Sequence, residues 1–226
     1  MIALVCIAKN EDRYIDEWID YHLSLGFDEI FVYMNNWRIN HYNPHVHLRE
    51  WDGTAIQVEA YNDFIQRDGA RYDWAAFFDV DEFLVLKKHP SIGAFLAEYP
   101  YHAICINWVL YGDNGLLHYD TRPVRERFTR RQTGVNHHVK TILRPKQVKM
   151  VNPHSCDRGA FSPDGLFIAG PFSPDGSDAT AQLNHYFCKT HDEFLQKVRR
   201  GRPDISGASR TEEDFNFHNR NDREDT

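Results

Sequence analysis

The stretch FFDVDEFLVL, residues 77–86, sets Asp79, Asp81 and Glu82 inside a run that otherwise reads as a buried strand. A buried, unpaired carboxylate costs several kcal/mol or escapes that cost by raising its pKa, so the stretch demands positive partners. It contains no Lys or Arg, and the nearest in sequence are Arg71, Lys87 and Lys88. A bound divalent cation and plain solvation at a strand end are the two explanations open at this point.

Upstream, Ile2–Ala8 is a continuous apolar strand, and Ile15, Trp18, Ile19, His22 and Leu23 recur at helical spacing until Gly26 supplies a stop. Glu29–Met34 reads as a second strand closing on Asn35 and Asn36, and His45–Glu50 as a third. A helix over 55–67 and a strand over 74–78 follow, the latter running into the acidic cluster. The order β-α-β-β-α-β implies an α/β fold with a mostly parallel central sheet flanked by helices. In such sheets ligands collect beyond the carboxyl ends of the strands. Lys9–Glu11, Asn35 with Asn36, and Asp79–Glu82 are therefore expected to face one crevice.

Downstream, Ser91–Tyr99 reads as a short capped helix, Ala103–Leu110 as a strand and YGDNG as a glycine-hinged loop. Thr121–Ser177 gives little periodic signal beyond two similar turns, Ser162–Gly165 and Ser173–Gly176. Leu183–Phe187 is a last strand, and Thr190 with Glu193 forms a capping box that opens a helix ending near Gly201. A single domain over 1–205 is expected, with 206–226 as a polar, disordered tail, because that segment lacks periodic apolar residues.

With 226 residues, 42% of them hydrophobic, the chain can bury one substantial core. Its net charge of −7 argues against nucleic acid as the main partner. Cys6, Cys105, Cys156 and Cys188 are too scattered for a disulfide framework, which favours a reducing, cytoplasmic setting. The apolar run Ile2–Ala8 is too short for a transmembrane segment and lacks the features of a signal peptide. A domain cut from a longer chain would look the same.

Asp79 and Asp81, two apart at a strand end, can both approach a metal that also holds substrate phosphates. A solvated strand end explains the same spacing. In dehalogenase-like phosphatases the first Asp is a nucleophile on an early strand, followed by a small residue and Thr, whereas here Glu82 and Phe83 occupy those places and the motif comes after three strands. Nucleotide-sugar glycosyltransferases of the GT-A type carry DxD midway along the chain, after a nucleotide-binding β/α half, as here. His154 and His185 each read either as a structural residue or as a ligand. The basic run Lys197, Arg199, Arg200 and Arg202 reads as a solvated helix end or as a diphosphate or acceptor contact. Trp37 and Tyr42 read as packing residues or as sugar-stacking aromatics.

The ordered series CIAKNEDRYIDEWIDYHLSLGFDEIFVYMNN, AYNDFI, WAAFFDVDEFL, NWVLYGDNG, ERFTRR, HHVKTILRP, NPH and NHYFCKTHDEFLQKVRRGRPD resembles the family 92-type glycosyltransferases, relatives of family 2. The resemblance covers most of Ile2–Asp204 and implies a GT-A-like fold. It implies that Ala8, Lys9, Glu11 and Asn35 or Asn36 hold the nucleoside of a nucleotide-sugar donor that is UDP-linked. It also implies that Asp79, Val80 and Asp81 face the ribose or metal, that Glu82 orients the sugar, and that Trp108 and Gly112 stand beside the sugar in the loop Trp108–Gly115. His185 would join Asp79 and Asp81 on Mn²⁺ or Mg²⁺, with Lys189 beside the diphosphate. Besides Asp81, the catalytic candidates are Glu126 and Asp113, either of which could serve as the base of an inverting transfer. The implied partners are the donor and a glycan or other hydroxyl acceptor, which could lie on a nearby membrane. A metal-dependent phosphohydrolase and a non-catalytic nucleotide-sugar or glycan-binding module are the rival readings.

Overall fold

A computed structural model describes residues 1–202, 207 and 209–225. The strands are β1 (Ile2–Ala8), β2 (Glu29–Met34), β3 (Val46–Glu50), β4 (Trp74–Phe77), β5 (Glu82–Leu86), β6 (Ala103–Leu110), β7 (Arg130–Arg131), β8 (Val139–Leu143), β9 (Ala160–Phe161), β10 (Phe167–Ile168), β11 (Ala181–His185) and β12 (Arg223–Glu224). The helices are α1 (Ile15–Ser24), α2 (Gln57–Arg67), α3 (Ile92–Ala97), α4 (Val124–Arg127), α5 (His191–Arg199) and α6 (Glu212–His218). The main sheet runs β10-β9-β6-β8-β4-β1-β2-β3, and β11 joins it through β6 while also pairing with β5. Strands β3, β2, β1 and β4 are mutually parallel, whereas β8 enters antiparallel between β4 and β6. This is the expected α/β architecture with a mostly parallel sheet.

β1 explains the layering. Leu4, Cys6 and Ala8 alternate onto one face and share a core with Ile15, Trp18 and Ile19 of α1. Ala3, Val5 and Ile7 point the other way and share a second core with Ala60, Tyr61 and Phe64 of α2. A strand buried on both faces must be apolar throughout, which is why IALVCIA shows no polar alternation.

The quoted stretch is not one strand. β4 stops at Phe77, residues 78–81 turn, with Glu82 N–H donating to the Asp79 carbonyl at 2.9 Å, and β5 leaves antiparallel to β11. The acidic residues thus sit at a corner where two strands diverge. Several crests around it use left-handed backbone: Asn10 after β1, Asn36 after β2, Asn114 after β6 and Lys189 after β11 have φ of 53°, 47°, 52° and 54°. Asn tolerates that conformation, and Lys adopts it only under constraint.

The segment 206–226 differs from the disordered tail expected of it. Its residues 206, 208 and 226 lie outside the described residues, but Thr211 and Asp214 form a reciprocal capping box that opens α6. Phe215 is buried against Cys188 and Phe194, and β12 pairs with β7. A single well-placed aromatic and side-chain clamps hold the segment, and neither produces hydrophobic periodicity.

Candidate active site

The carboxyl ends of β1, β4, β6 and β11 open into one cleft of about 610 Å³, within the usual size of a small-molecule site. Lys9, Glu11, Asp79, Val80, Asp81, Trp108 and His185 line it, as expected. A smaller compartment of about 350 Å³, lined by Asn10, Lys189 and Lys197 among others, adjoins it through Glu11, Phe187 and Arg200.

The partners that the acidic stretch demanded are two lysines distant in sequence. Lys140 of β8, 0% exposed, places its Nζ 2.9 Å from Asp79 Oδ2 and 3.4 Å from Glu82 Oε2. Lys197 of α5 places its Nζ 2.5 Å from Asp81 Oδ2 and also donates to the Phe187 carbonyl at 3.0 Å. Burial pushes Glu82 well above the ordinary carboxylate range, with Asp79 and Asp81 adding to the effect and Lys140 opposing it. Glu82 Oε2 also accepts the Asp79 N–H at 2.8 Å. Burial also works against charge on Asp81, yet Lys197 and His185 hold its carboxyl well below the usual range. Burial, only partly offset by Asp81, together with the charges of Arg210, Lys189 and Arg200 brings the Lys197 ammonium down to about 8.

His185 Nε2 lies 3.5 Å from Asp81 Oδ1, close enough for the two to share one ion. Asp79, expected as a further ligand, is drawn elsewhere: Lys140 holds one oxygen and Gln57 Nε2 donates to the other at 3.0 Å. Among the described residues no three metal-ligating side chains converge. A cation here would take two protein ligands and complete its shell with substrate oxygens, a mode that Mg²⁺ and its relatives use with phosphates.

Other expected residues are spent on structure. The Ala8 carbonyl accepts the Asn35 N–H at 2.7 Å, and the side-chain amides of Asn35 and Asn36 both donate to the Gly53 carbonyl. Asn35 and Asn36 thus tie β2 to the turn after β3 and are not in the cleft lining. Gly112 lies against Asn221, where a Cβ would collide with the amide. Asp113 N–H donates to Asn219 Oδ1 at 2.8 Å and its carboxylate accepts from Asn221 and Gly115. Glu126 is exposed on α4. Neither Asp113 nor Glu126 lines the cleft, so neither is placed to act as base. Trp37 is buried with its indole N–H on Asp12, and Tyr42 is exposed outside the cleft lining. Of the basic run, Arg199 is exposed, whereas Arg200 pairs with Glu11 at 2.5 Å.

Lys189 is 4% exposed, with its ammonium 4.2 Å above the Tyr14 ring and no ion-pair partner among the described residues. Trp108 Nε1, His185 Nδ1 and Glu11 Oε2 are buried without hydrogen bonds. Such groups are costly unless a ligand completes them.

Three further histidines line the cleft, of which sequence reasoning singled out only His154. His154 Nδ1 donates to the Val139 carbonyl at 2.9 Å, and His218 Nδ1 to the Asp214 carbonyl at 2.7 Å. His138 Nδ1 lies 2.8 Å from the same Asn136 atom that accepts the His138 backbone N–H, which identifies that atom as oxygen. In all three the proton sits on Nδ1, leaving Nε2 as an acceptor. Burial lowers the pKa of all three, to about 4 for His154 and His218.

A family model described as glycosyltransferase family 92 matches residues 3–162. The chain belongs to glycosyltransferase family 92. A family 92 protein of Ricinus communis is 26% identical over 84% of this chain and 36% of its own length. Another from Arabidopsis thaliana is 29% identical over 64% of this chain and 29% of its own length. The chain thus spans about a third of the family 92 relatives it matches. Among solved structures, residues 1–349 of S. aureus TarS superpose with a TM-score of 0.46 at 13% identity, covering 88% of this chain and 63% of that one. The family match includes the DVD corner and Lys140 but stops before His185, Lys197 and α6. No helix among the described residues is long and apolar enough to cross a membrane.

Proposed function

We propose that this family 92 chain binds a nucleotide-sugar donor, UDP-linked, in the cleft and transfers its sugar to a hydroxyl of a glycan or other acceptor with inversion, in a cytoplasmic setting. The observation that carries this reading is the corner itself: an ionised Asp81 beside His185, with Lys197 and Lys189 close by, at the floor of a cleft of nucleotide-sugar size. Asp81 and His185 would hold a divalent cation, Mn²⁺ or Mg²⁺. When bound it supplies charge neutralisation for the leaving group. Lys197 and Lys189 place positive charge beside the developing diphosphate, which is worth most in a site shielded from water. The Lys9–Glu11 edge of β1 holds the nucleoside, and Trp108 Nε1 has a free N–H to donate to the sugar.

Incubation with a panel of nucleotide sugars, reading released nucleoside diphosphate and free phosphate separately, tests this function. Diphosphate release that rises with acceptor supports it. Free phosphate without acceptor would instead indicate a phosphohydrolase, and donor binding without turnover a binding module.

A further inference from the structure

Six rings line the cleft in an unbroken series supplied by four separate segments. In order they are Phe217, His218, Phe187, His185, Trp108 and His138. Successive centroids lie 5.0, 3.9, 5.6, 4.2 and 4.7 Å apart, with His218 stacked on Phe187 and His138 stacked on Trp108. The series changes character along its length. Trp108 and His185 within it are buried, His138 at one end is half-buried, and Phe217 at the other end is 50% exposed although its neighbour Phe215 on α6 is buried.

A lone exposed Phe on a convex surface is ordinary. One held in the wall of a polar cleft, continuous with five other rings, is a platform. Beside it His218 leaves Nε2 as an acceptor, because Nδ1 is committed to the Asp214 carbonyl. The Asp214 side chain also lines the cleft, with one oxygen taken by the Thr211 N–H at 2.7 Å. The Arg220 guanidinium lies over the Phe217 ring, 5.6 Å from its centroid, and the ring stays half-exposed. A half-exposed aromatic ring with a donor and acceptors around it matches a pyranose ring, which offers an apolar C–H face and hydroxyls that donate and accept around its edge. The platform is also rigidly held. Asn219 and Asn221, just beyond Phe217, accept the backbone N–H groups of Asp113 and Asn114, and Asp225 pairs with Arg131 at 3.0 Å.

We propose that Phe217 is the stacking platform for a neutral pyranose unit of the acceptor glycan, with His218 Nε2 receiving one of its hydroxyls. This deepens the glycosyl-transfer reading and rests on it. The donor diphosphate is assigned to Asp81, beside the buried His185, so the partner that stacks on the half-exposed Phe217 end of the series is the acceptor.

The test compares wild type with Phe217→Ala, Phe217→Leu and Phe217→Trp. Each protein, saturated with UDP, is applied to an array of immobilised neutral oligosaccharides. UDP affinity and melting temperature are measured on the same samples. Leu keeps apolar bulk without a flat face, and Trp keeps the face. The expected result is oligosaccharide binding weakened about three- to tenfold in the Ala and Leu variants and retained in the Trp variant, with UDP affinity and melting temperature unchanged in all. Unchanged oligosaccharide binding in Phe217→Ala overturns the proposal, as does a wild-type protein that captures no oligosaccharide. A Leu variant that binds as well as wild type also overturns it, because bulk alone would then suffice. Loss of UDP binding in the wild type, with oligosaccharide binding intact, would instead defeat the donor assignment and leave the platform standing.

Discussion

Replacing Lys140 by Met keeps an unbranched side chain of similar length in β8 but removes the charge beneath Asp79 and Glu82. Breaking a buried pair by deleting one partner costs roughly 3–5 kcal/mol. The Asp79 side chain is 34% exposed, so water takes over part of its solvation and reduces that figure. A loss of about 2–3 kcal/mol at neutral pH is expected after this discount. At roughly 2–4 °C per kcal/mol for a domain of this size, the midpoint should fall by about 4–12 °C in calorimetry. The pH dependence is the sharper test. Glu82 has a folded pKa raised above its unfolded value, so its contribution to stability is present below the unfolded pKa and lost as pH rises through the folded one. Removing Lys140 removes the main influence opposing that rise. The deficit of the variant relative to wild type should therefore shrink at pH 5 and widen toward pH 8 in urea titrations. A deficit under about 1 kcal/mol, or one equal at both pH values, would refute the assignment of Lys140 as the charge that permits the acidic corner.

Truncation after Arg210 removes Asp225 from the buried Arg131 and uncovers Phe194 and Cys188, so a loss of roughly 4–6 kcal/mol is expected, read as a fall of 10 °C or more in melting temperature. Glu193→Ala should cost about 3–5 kcal/mol in chemical denaturation, because it strands Arg127 in a bidentate pair that is 1% exposed on both sides. Gly112→Ala should cost about 1–3 kcal/mol and loosen 219–221, visible as faster amide exchange in that segment, because the added methyl displaces the Asn221 amide.

The parallel half of the sheet was legible because each of its strands is apolar and punctuated. IALVCIA and EIFVYM end in Asn-containing turns, and the Thr190–Glu193 box announces α5 to the residue. The DVD corner was legible as chemistry, but its charge partners were not. Lys140 sits in HHVKTILRP as one polar residue in a short strand, and nothing local says that β8 inserts between β4 and β6, which brings Lys140 beneath Asp79. Lys197 was visible only as part of a basic helix end, where sequence cannot separate the buried member from the exposed Arg199. Segment 211–225 was misread because its attachment rests on one aromatic, Phe215, and on polar clamps through Asn219, Asn221 and Asp225. Long-range hydrogen bonds of that kind leave no periodic trace. His138 and His218 were missed for a related reason: the Nδ1 acceptors that fix their tautomers are set by the folded chain.

The central claim is that Asp81 is the charge on which a metal and the donor diphosphate assemble. Isothermal calorimetry of UDP binding with and without Mn²⁺, on wild type and Asp81→Asn, tests it directly. The amide keeps the shape, though leaving Lys197 without its buried anion lowers the melting temperature of the variant. The account predicts that Mn²⁺ tightens UDP binding to wild type by tenfold or more and that this increment vanishes in Asp81→Asn, measured at a temperature where the variant is folded. UDP affinity that is indifferent to Mn²⁺ in wild type, or a metal increment that survives in the variant, would contradict it.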